Sequence, residues 1–265
     1  MLRALYTAAS GMTAQQFNID TISHNLANVN TTGFKKVRPE FQDLIYLAIR
    51  RPAAPAGEAA GPPIGLNVGL GVRAAGSQTI FQQGNLQPTS NPLDLALSGP
   101  GFFVVKDSND EEFYTRDGSF KLDAEGNLVT MDGYYVQGDG GNITIPSTAS
   151  ELSVARDGTI TYTAPGETEP TTVGKLTIVQ FVNPAGLDRL GHNLYRITAA
   201  SGEAQAIEEN EGQSVTVEQG FLESSNVQVV EEMVNLITAQ RAYELNSKAI
   251  QASDEMLNIA NNLRR

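Results

Sequence analysis

The sequence predicts an α+β fold: N- and C-terminal helices paired as a coiled coil, with a β-rich middle region inserted between them. Three observations carry this. Residues 221–265 contain neither glycine nor proline. Within them Val229, Leu236, Tyr243, Ile250 and Leu257 recur at a strict seven-residue step, the spacing of a coiled-coil seam. A matching series, Leu5, Met12, Ile19 and Leu26, opens the chain, and Asp-Gly and Glu-Gly turns punctuate the long interval between.

Bulk composition narrows the class. The chain has 265 residues, 18% charged and 40% apolar, which is the balance of a folded protein with a real core. It has no cysteine, which suits a reducing compartment and an exported protein stabilised by assembly equally well. Thr7, Ser10, Thr13, Gln15 and Gln16 interrupt any apolar run after Arg3, so no cleavable secretion signal is expected. No window is apolar for long enough to predict membrane insertion. The net charge is −12, and residues 46–225 hold 22 acidic and ten basic groups while both ends are nearly neutral. That placement suits terminal helices that meet neighbours and an acidic middle that faces solvent, and it makes nucleic acid a poor partner.

In chain order, a helix is predicted from Leu2 to about Val29. Gly11 interrupts it at a cost of about 1 kcal/mol relative to Ala, and reads either as a point of close backbone approach or as an ordinary weak spot. Residues 25–33, rich in Asn and Thr and ending in Gly33, stop the helix. Phe34 is expected to fold back onto the apolar seam. The 35–47 stretch fits a short helix or a strand. Residues 50–65 contain four prolines, three glycines and five alanines and read as an extended loop. Leu66, Val68, Leu70 and Val72 alternate with polar or small residues as one strand. Residues 92–105 read as two buried strands joined at 98–101. Turn-punctuated strands then continue to about residue 197 as an antiparallel meander, with an exposed loop at 165–170. After an acidic stretch, residues 214–218 lead through Gly220 to a helix over 226–265, roughly 60 Å long at about 1.5 Å per residue. The domain expectation is an inner pair of helices (1–34 and 226–265), an extended linker (35–75), an outer β-rich domain (76–200) and a return linker (201–225).

Catalytic chemistry has little support. His24 and His192 lack a second histidine or cysteine at ligand spacing, and His24 reads as a helix-end hydrogen-bonding group. Asp117, Asp123, Asp132 and Asp139 lie in a glycine-rich run without the full ligand pattern of a calcium loop, and their turns account for much of it. The glycines around Gly99 and Gly101 lack the lysine of a phosphate loop. No nucleophile pairs with a base, and Ser10, Ser23 and Ser98 read as cap, seam or turn residues. No cofactor, no metal and no enzymatic activity are expected. The terminal seams are the strongest feature, with Ala239, Asn246, Ser253 and Ala260 leaving room for a close neighbour. They read either as one intramolecular hairpin or as contacts between subunits of a polymer.

Motifs distributed along the chain carry a resemblance. Tyr6-Thr-Ala-Ala-Ser-Gly-Met12 and Ser23-His-Asn-Leu-Ala-Asn-Val-Asn-Thr-Thr-Gly-Phe-Lys35 begin the series. Gly84-Asn-Leu86, Asn91-Pro-Leu-Asp-Leu-Ala-Leu97, Gly99-Pro-Gly-Phe-Phe103 and Tyr114-Thr-Arg-Asp-Gly-Ser-Phe120 follow. Gln219-Gly-Phe-Leu-Glu-Ser-Ser-Asn226 and residues 233–252 complete it. In this order they resemble the bacterial flagellar rod and hook protein family. Length and residues 49–71 look like its distal-rod members.

The resemblance implies a non-enzymatic structural subunit that polymerises helically with copies of itself into a rigid drive shaft between motor and hook. It implies assembly helices carrying Leu5, Met12, Ile19, Leu26, Leu236, Tyr243, Ile250 and Leu257. It also implies a rod-specific segment that includes Arg50, Arg51, Pro52, Pro55, Pro62 and Pro63. The implied partners are proximal rod proteins, the hook protein or its junction, the surrounding ring proteins and the flagellar export apparatus. The implied place is the distal rod of the basal body, across the periplasm. The competing readings are a proximal rod or hook subunit and, from another class, a surface adhesin with a β domain on a helical stalk.

Overall fold

The computed structural model describes residues 2–50, 65–146, 149, 151–165, 170–207 and 215–262. The chain divides into two compact units. One comprises Met1–Leu26, Val37–Gln78 and Gln228–Arg265, and the other Ala27–Lys36 and Thr79–Val227.

In the first unit, α1 (Leu2–Ala27) and α2 (Val229–Asn262) are the expected terminal helices. Thr7, Thr13 and Thr21 in α1 return their hydroxyls to the carbonyls of Arg3, Ala9 and Phe17, so these polar residues are satisfied without breaking the helix. Glu231 and Glu232 sit in the first turn of α2, where the helix dipole favours carboxylates.

The two helices pair. Asn25 Nδ2 donates to Glu232 Oε2 at 3.4 Å, and a Cβ built on Gly11 would stand 2.9 Å from Asn246 Nδ2. Gly11 and Asn25 are two heptads apart on α1, as Glu232 and Asn246 are on α2. The order of the two contacts makes the pair antiparallel. Gly11 therefore marks close approach.

The ambiguous 35–47 stretch forms strands, β1 (Val37–Asp43) and β2 (Tyr46–Arg50). The single strand expected around residues 66–72 is two, β3 (Leu66–Gly69) and β4 (Val72–Thr79). The break falls at Gly71, whose φ is +121°. A side chain at Gly71 would overlap Ser10 Oγ, which accepts the Val72 N–H at 3.3 Å. Strand β1 pairs with β4 and β2 with β3, all antiparallel, so the chain runs out along one side of a ribbon and returns along the other. Arg50 is opposite Leu66, and the proline-rich residues 51–64 between them lie outside the described residues.

The second unit is β-rich. Strands β5 (Leu86–Pro88), β6 (Leu95–Ser98), β7 (Phe102–Lys106), β8 (Glu112–Thr115), β9 (Lys121–Leu122), β10 (Leu128–Val129) and β11 (Tyr135–Gly138) come first. Next are β12 (Gly141–Asn142), β13 (Glu151–Val154), β14 (Thr159–Thr163), β15 (Thr171–Lys175) and β16 (Ile178–Gln180). Last are β17 (Asp188–Gly191), β18 (Leu194–Arg196), β19 (Gln205–Ala206), β20 (Thr216–Gln219) and β21 (Phe221–Glu223). The main antiparallel sheet runs β17-β18-β8-β7-β11-β10-β9, with β12 on β11 and β16 linking β7 to β19. Among the described residues the meander is real, but β6 does not pair with β7. It pairs with β20, and β5 pairs with β21, far along the chain.

Strand β7 explains its own sequence. Phe103 and Val105 enter a core with Leu95, Leu97, Phe120 and Val136. Phe102 and Val104 enter a second core on the other face with Tyr114, Phe181 and Tyr195. A strand buried on both faces reads as a continuous apolar run. Edge-to-face rings fill the second core, with Tyr114–Phe181 at 5.0 Å and Phe102–Phe181 at 5.5 Å between centroids.

Burial first, and then the Glu112 carboxylate, push the Tyr114 phenol up to about 12. Burial also raises Tyr195. The unfolded phenol ionises near pH ~10, so the folded state binds more protons between about 10 and 12 and stability must fall as pH rises through that window. Tyr114→Phe is expected to remove roughly 1–2 kcal/mol of this alkaline loss, leaving the share from Tyr195. Denaturant midpoints measured across that pH range check it; an unchanged alkaline slope would contradict it.

Phe34 departs from expectation. It belongs to the β-rich unit, is buried, and stacks under the Arg189 guanidinium at 5.5 Å from the ring centroid. There the buried ring gains an attraction between the cation and its electron-rich face, worth about 0.5–2 kcal/mol, in addition to its apolar burial.

Candidate assembly surface

The predicted seam residues are half-buried at Leu5, Met12, Ile19, Leu26, Leu236, Ile250 and Leu257, and Tyr243 is exposed. The fully buried positions of α2 are Glu232, Ala239 and Ser253, the small or polar members of the heptad. Small side chains bring the helices close, and the larger ones flank the contact. Arg50 ends β2 and is exposed; Arg51, Pro52, Pro55, Pro62 and Pro63 lie outside the described residues.

Sequence reasoning missed the other side of α2. Val230, Met233, Val234, Ile237, Leu245, Met256 and Ile259 are all exposed, Val230 at 76% and Leu245 at 66%. At about 3.6 residues per turn all of these but Met256, which flanks Ser253, fall on the side away from Glu232, Ala239, Asn246 and Ser253. Six large apolar side chains on one helix face are far more than scattered surface residues. The stripe follows a 3.6-residue period and includes Arg241 and Lys248, so a seven-step search drifts off it. The ribbon adds Ile45, Tyr46, Leu47, Ile49, Leu66 and Leu70, all exposed.

A second group was also missed, inside the β-rich unit. The Lys35 ammonium donates to Glu223 Oε1 and, at 2.9 Å, to Gln82 O. Glu223 Oε1 also accepts the Gly84 N–H at 2.8 Å, and the Glu223 backbone carbonyl accepts Gly33 N–H at 2.8 Å. Arg116 Nη1 lies 3.5 Å from Glu223 Oε2, and Arg116 Nη2 donates to Gly99 O at 2.7 Å. All three charged residues are buried. Burial first, and then the Arg116 charge, hold Lys35 below its ordinary value against the opposing pull of Glu223. Burial likewise lowers Arg116. Lys35, Gly84, Gly99, Arg116 and Glu223 come from five of the motifs that carried the resemblance. Their role is to bring the distant segments together.

Asparagines complete the arrangement within each unit. Asn226 Oδ1 accepts Lys36 N–H at 2.7 Å, and its amide donates to Ile80 O and Gln82 O. In the helical unit Asn25 Oδ1 accepts Val37 N–H at 2.9 Å while its Nδ2 donates to Val37 O at 2.8 Å. A single side chain thus pairs with β1 as a strand residue would.

Among the described residues no group of three or more His, Cys, Asp or Glu side chains could hold a metal ion, and no helix is long and apolar enough to cross a membrane. His192, in a left-handed turn, pairs with Asp132 at 3.3 Å on the surface.

Large apolar side chains exposed along a helix pair and a ribbon define a subunit built to associate. Comparison with known proteins says which. The family described as "Flagella basal body rod protein" matches residues 5–35, "Flagellar hook protein FlgE/F/G D1 domain" matches 96–162, and "Flagellar basal body rod FlgEFG protein C-terminal" matches 218–263. The flagellar basal-body rod protein FlgG of Borreliella burgdorferi is 49% identical over 268 residues, covering 100% of both chains. Its namesake in Caulobacter vibrioides is 43% identical over 99% of this chain and 100% of the relative, and that of Bacillus subtilis 42% over 100% of both. The chain belongs to the flagellar basal-body rod protein family. It is a structural, polymerising rod subunit and not an enzyme, located in the periplasmic basal-body rod among other flagellar components.

Proposed function

We propose that this subunit forms the distal rod, polymerising helically with copies of itself into a straight, rigid shaft that carries torque from motor to hook. The observation that carries this reading is the exposed apolar stripe of α2, which lies opposite the face engaged with α1. One face joins the helices within a subunit and the other joins subunits, so neither competes with the other. Apolar burial at about 25 cal/mol per Å² supplies the attraction, and repetition along a helical lattice resists bending and twist.

In this reading residues 1–34 and 226–265 form the inner wall of the tube, with Leu5, Met12, Ile19, Leu26, Leu236, Tyr243, Ile250 and Leu257 as its assembly helices. Residues 76–200 form the outer domain, joined through 35–75 and 201–225. The rod-specific segment that includes Arg50, Arg51, Pro52, Pro55, Pro62 and Pro63 stiffens the lattice. Proximal rod proteins lie below, the hook or its junction above, and ring proteins around. The chain reaches its place through the flagellar export apparatus. The high identity over full length to proteins called FlgG supports the distal position over other rod or hook subunits.

Helical reconstruction of the assembled full-length chain by electron microscopy tests the reading. Straight tubes with both termini on the inner wall are expected. Discrete oligomers, or termini on the outer wall, would overturn it.

A further inference from the structure

Four Asp-Gly pairs occur, at 117–118, 132–133, 139–140 and 157–158. In such a pair the glycine nitrogen carries no neighbouring Cβ to shield it from the preceding carboxyl group. Three of the four are restrained. The Asp117 carboxylate accepts Ser119 N–H and the Thr32 hydroxyl, and Gly118 is packed so closely that a Cβ there would overlap Leu95 O. Asp157 accepts Thr159 N–H at 3.0 Å and its hydroxyl at 2.7 Å, while Gly158 N–H is committed to Ala155 O. Asp132 pairs with His192, and Gly133 N–H is committed to Thr130 O.

Asp139 and Gly140 differ. They form the two-residue turn closing β11 onto β12, where Gly138 faces Gly141, and both are exposed. Among the described residues the Asp139 carboxylate has no hydrogen bond or ion pair, and Gly140 N–H donates none. A Cβ on Gly140 would meet nothing within 4 Å, as at Gly133, and the Asp139 N–H is held by Lys175 O at 2.9 Å, so the freedom of this turn lies in the Asp139 carboxylate and the Gly140 N–H.

We propose that Asp139 is a site of spontaneous isoaspartate formation. The Gly140 nitrogen attacks Cγ of Asp139 and loses its proton; the N–Cγ bond forms and the carboxyl oxygen departs as water, leaving a five-membered succinimide. Water then adds to one of the two imide carbonyls. Opening at Cγ restores aspartate, whereas opening at the α-carbonyl routes the main chain through the β-carboxyl. Water is the only species lost and regained. The product lengthens the turn by one methylene beside the Gln137 Nε2–Asn142 Oδ1 hydrogen bond of 2.7 Å, and loosens the β11–β12 hairpin.

The test is to age the purified full-length chain in warm neutral buffer and quantify isoaspartate at all four sites by peptide mass spectrometry, with a denatured sample alongside. Asp139 is expected to exceed Asp117 and Asp157 by about tenfold or more, the factor that ~1.4 kcal/mol on a barrier confers. In the denatured chain the four sites should converge. Gly140→Ala has room in the fold and should cut the Asp139 product by about tenfold with circular dichroism unchanged. Equal modification at all four sites in the native chain, faster reaction at Asp117 or Asp157, or none at Asp139 would each overturn the assignment.

Discussion

Glu223→Gln should cost the β-rich unit about 3–5 kcal/mol, because it leaves two buried cations without their anion. Among the described residues Lys35 and Arg116 meet only this one carboxylate. The glutamine keeps the shape, and through its carbonyl can still accept from Lys35, so the loss isolates charge from packing. Unfolding followed by the near-ultraviolet signal of the Tyr114, Phe181 and Tyr195 cluster reports this unit specifically. The pH dependence gives an independent check. Glu223 opposes the lowering of Lys35, so its removal drops the Lys35 value further. A lysine with a depressed folded value binds fewer protons when folded, and stability then rises with pH. The penalty of Glu223→Gln should therefore shrink as pH is raised from neutral toward about 10, where the unfolded lysine titrates. A variant as stable as the parent at neutral pH would remove the cluster from any anchoring role. Lys35→Met added to Glu223→Gln is expected to recover part of the loss, since one of the two stranded cations is gone.

Leu245→Asp should abolish assembly while leaving the isolated subunit as stable as the parent. Leu245 is exposed in the subunit, so the new carboxylate is solvated there. In a polymer the same position would bury an unpaired charge and forfeit the apolar gain, roughly 3 kcal/mol or more. That raises the critical concentration for assembly at least about a hundredfold. Ile237→Asp on the same stripe should behave alike. Ile250→Asp is the contrasting variant: it lies half-buried on the face toward α1, so it should loosen the helices in the subunit itself. Sedimentation of assembled material together with helix content of the dilute chain separates the two effects. Wild-type assembly by Leu245→Asp would show that the stripe is not the contact between subunits.

The helices were legible because their signals are local. A run without glycine or proline, and a seven-residue step, act through neighbouring turns of one chain segment. The small or polar positions at Ala239, Asn246 and Ser253 were visible as gaps in the large-residue series, whereas the antiparallel sense of the pair and the role of Gly11 came only from the contacts. The Asp-Gly turns were legible for the same reason, since each specifies its own backbone geometry. Phe102-Phe-Val-Val105 announced a buried strand, although not that both of its faces lie in cores.

The assembly surface was only half legible. A heptad search finds one face of α2 and passes over the stripe that follows the helix's own period, where Arg241 and Lys248 dilute it. Phe34 was misplaced because an aromatic residue after a helix has no local signal for a distant arginine. The polymer reading rested on motifs rather than on any property of those motifs taken one at a time, and their meeting point became visible only in three dimensions.

By itself the sequence determined two terminal helices and a turn-rich β middle, both properties of short segments. Tertiary structure decided the pairing of β6 with β20 and of β5 with β21, and the convergence of Lys35, Arg116 and Glu223. It also decided which face of α2 stays open. These depend on contacts between residues more than a hundred positions apart, whose energy appears only when loops close and water leaves the space between them.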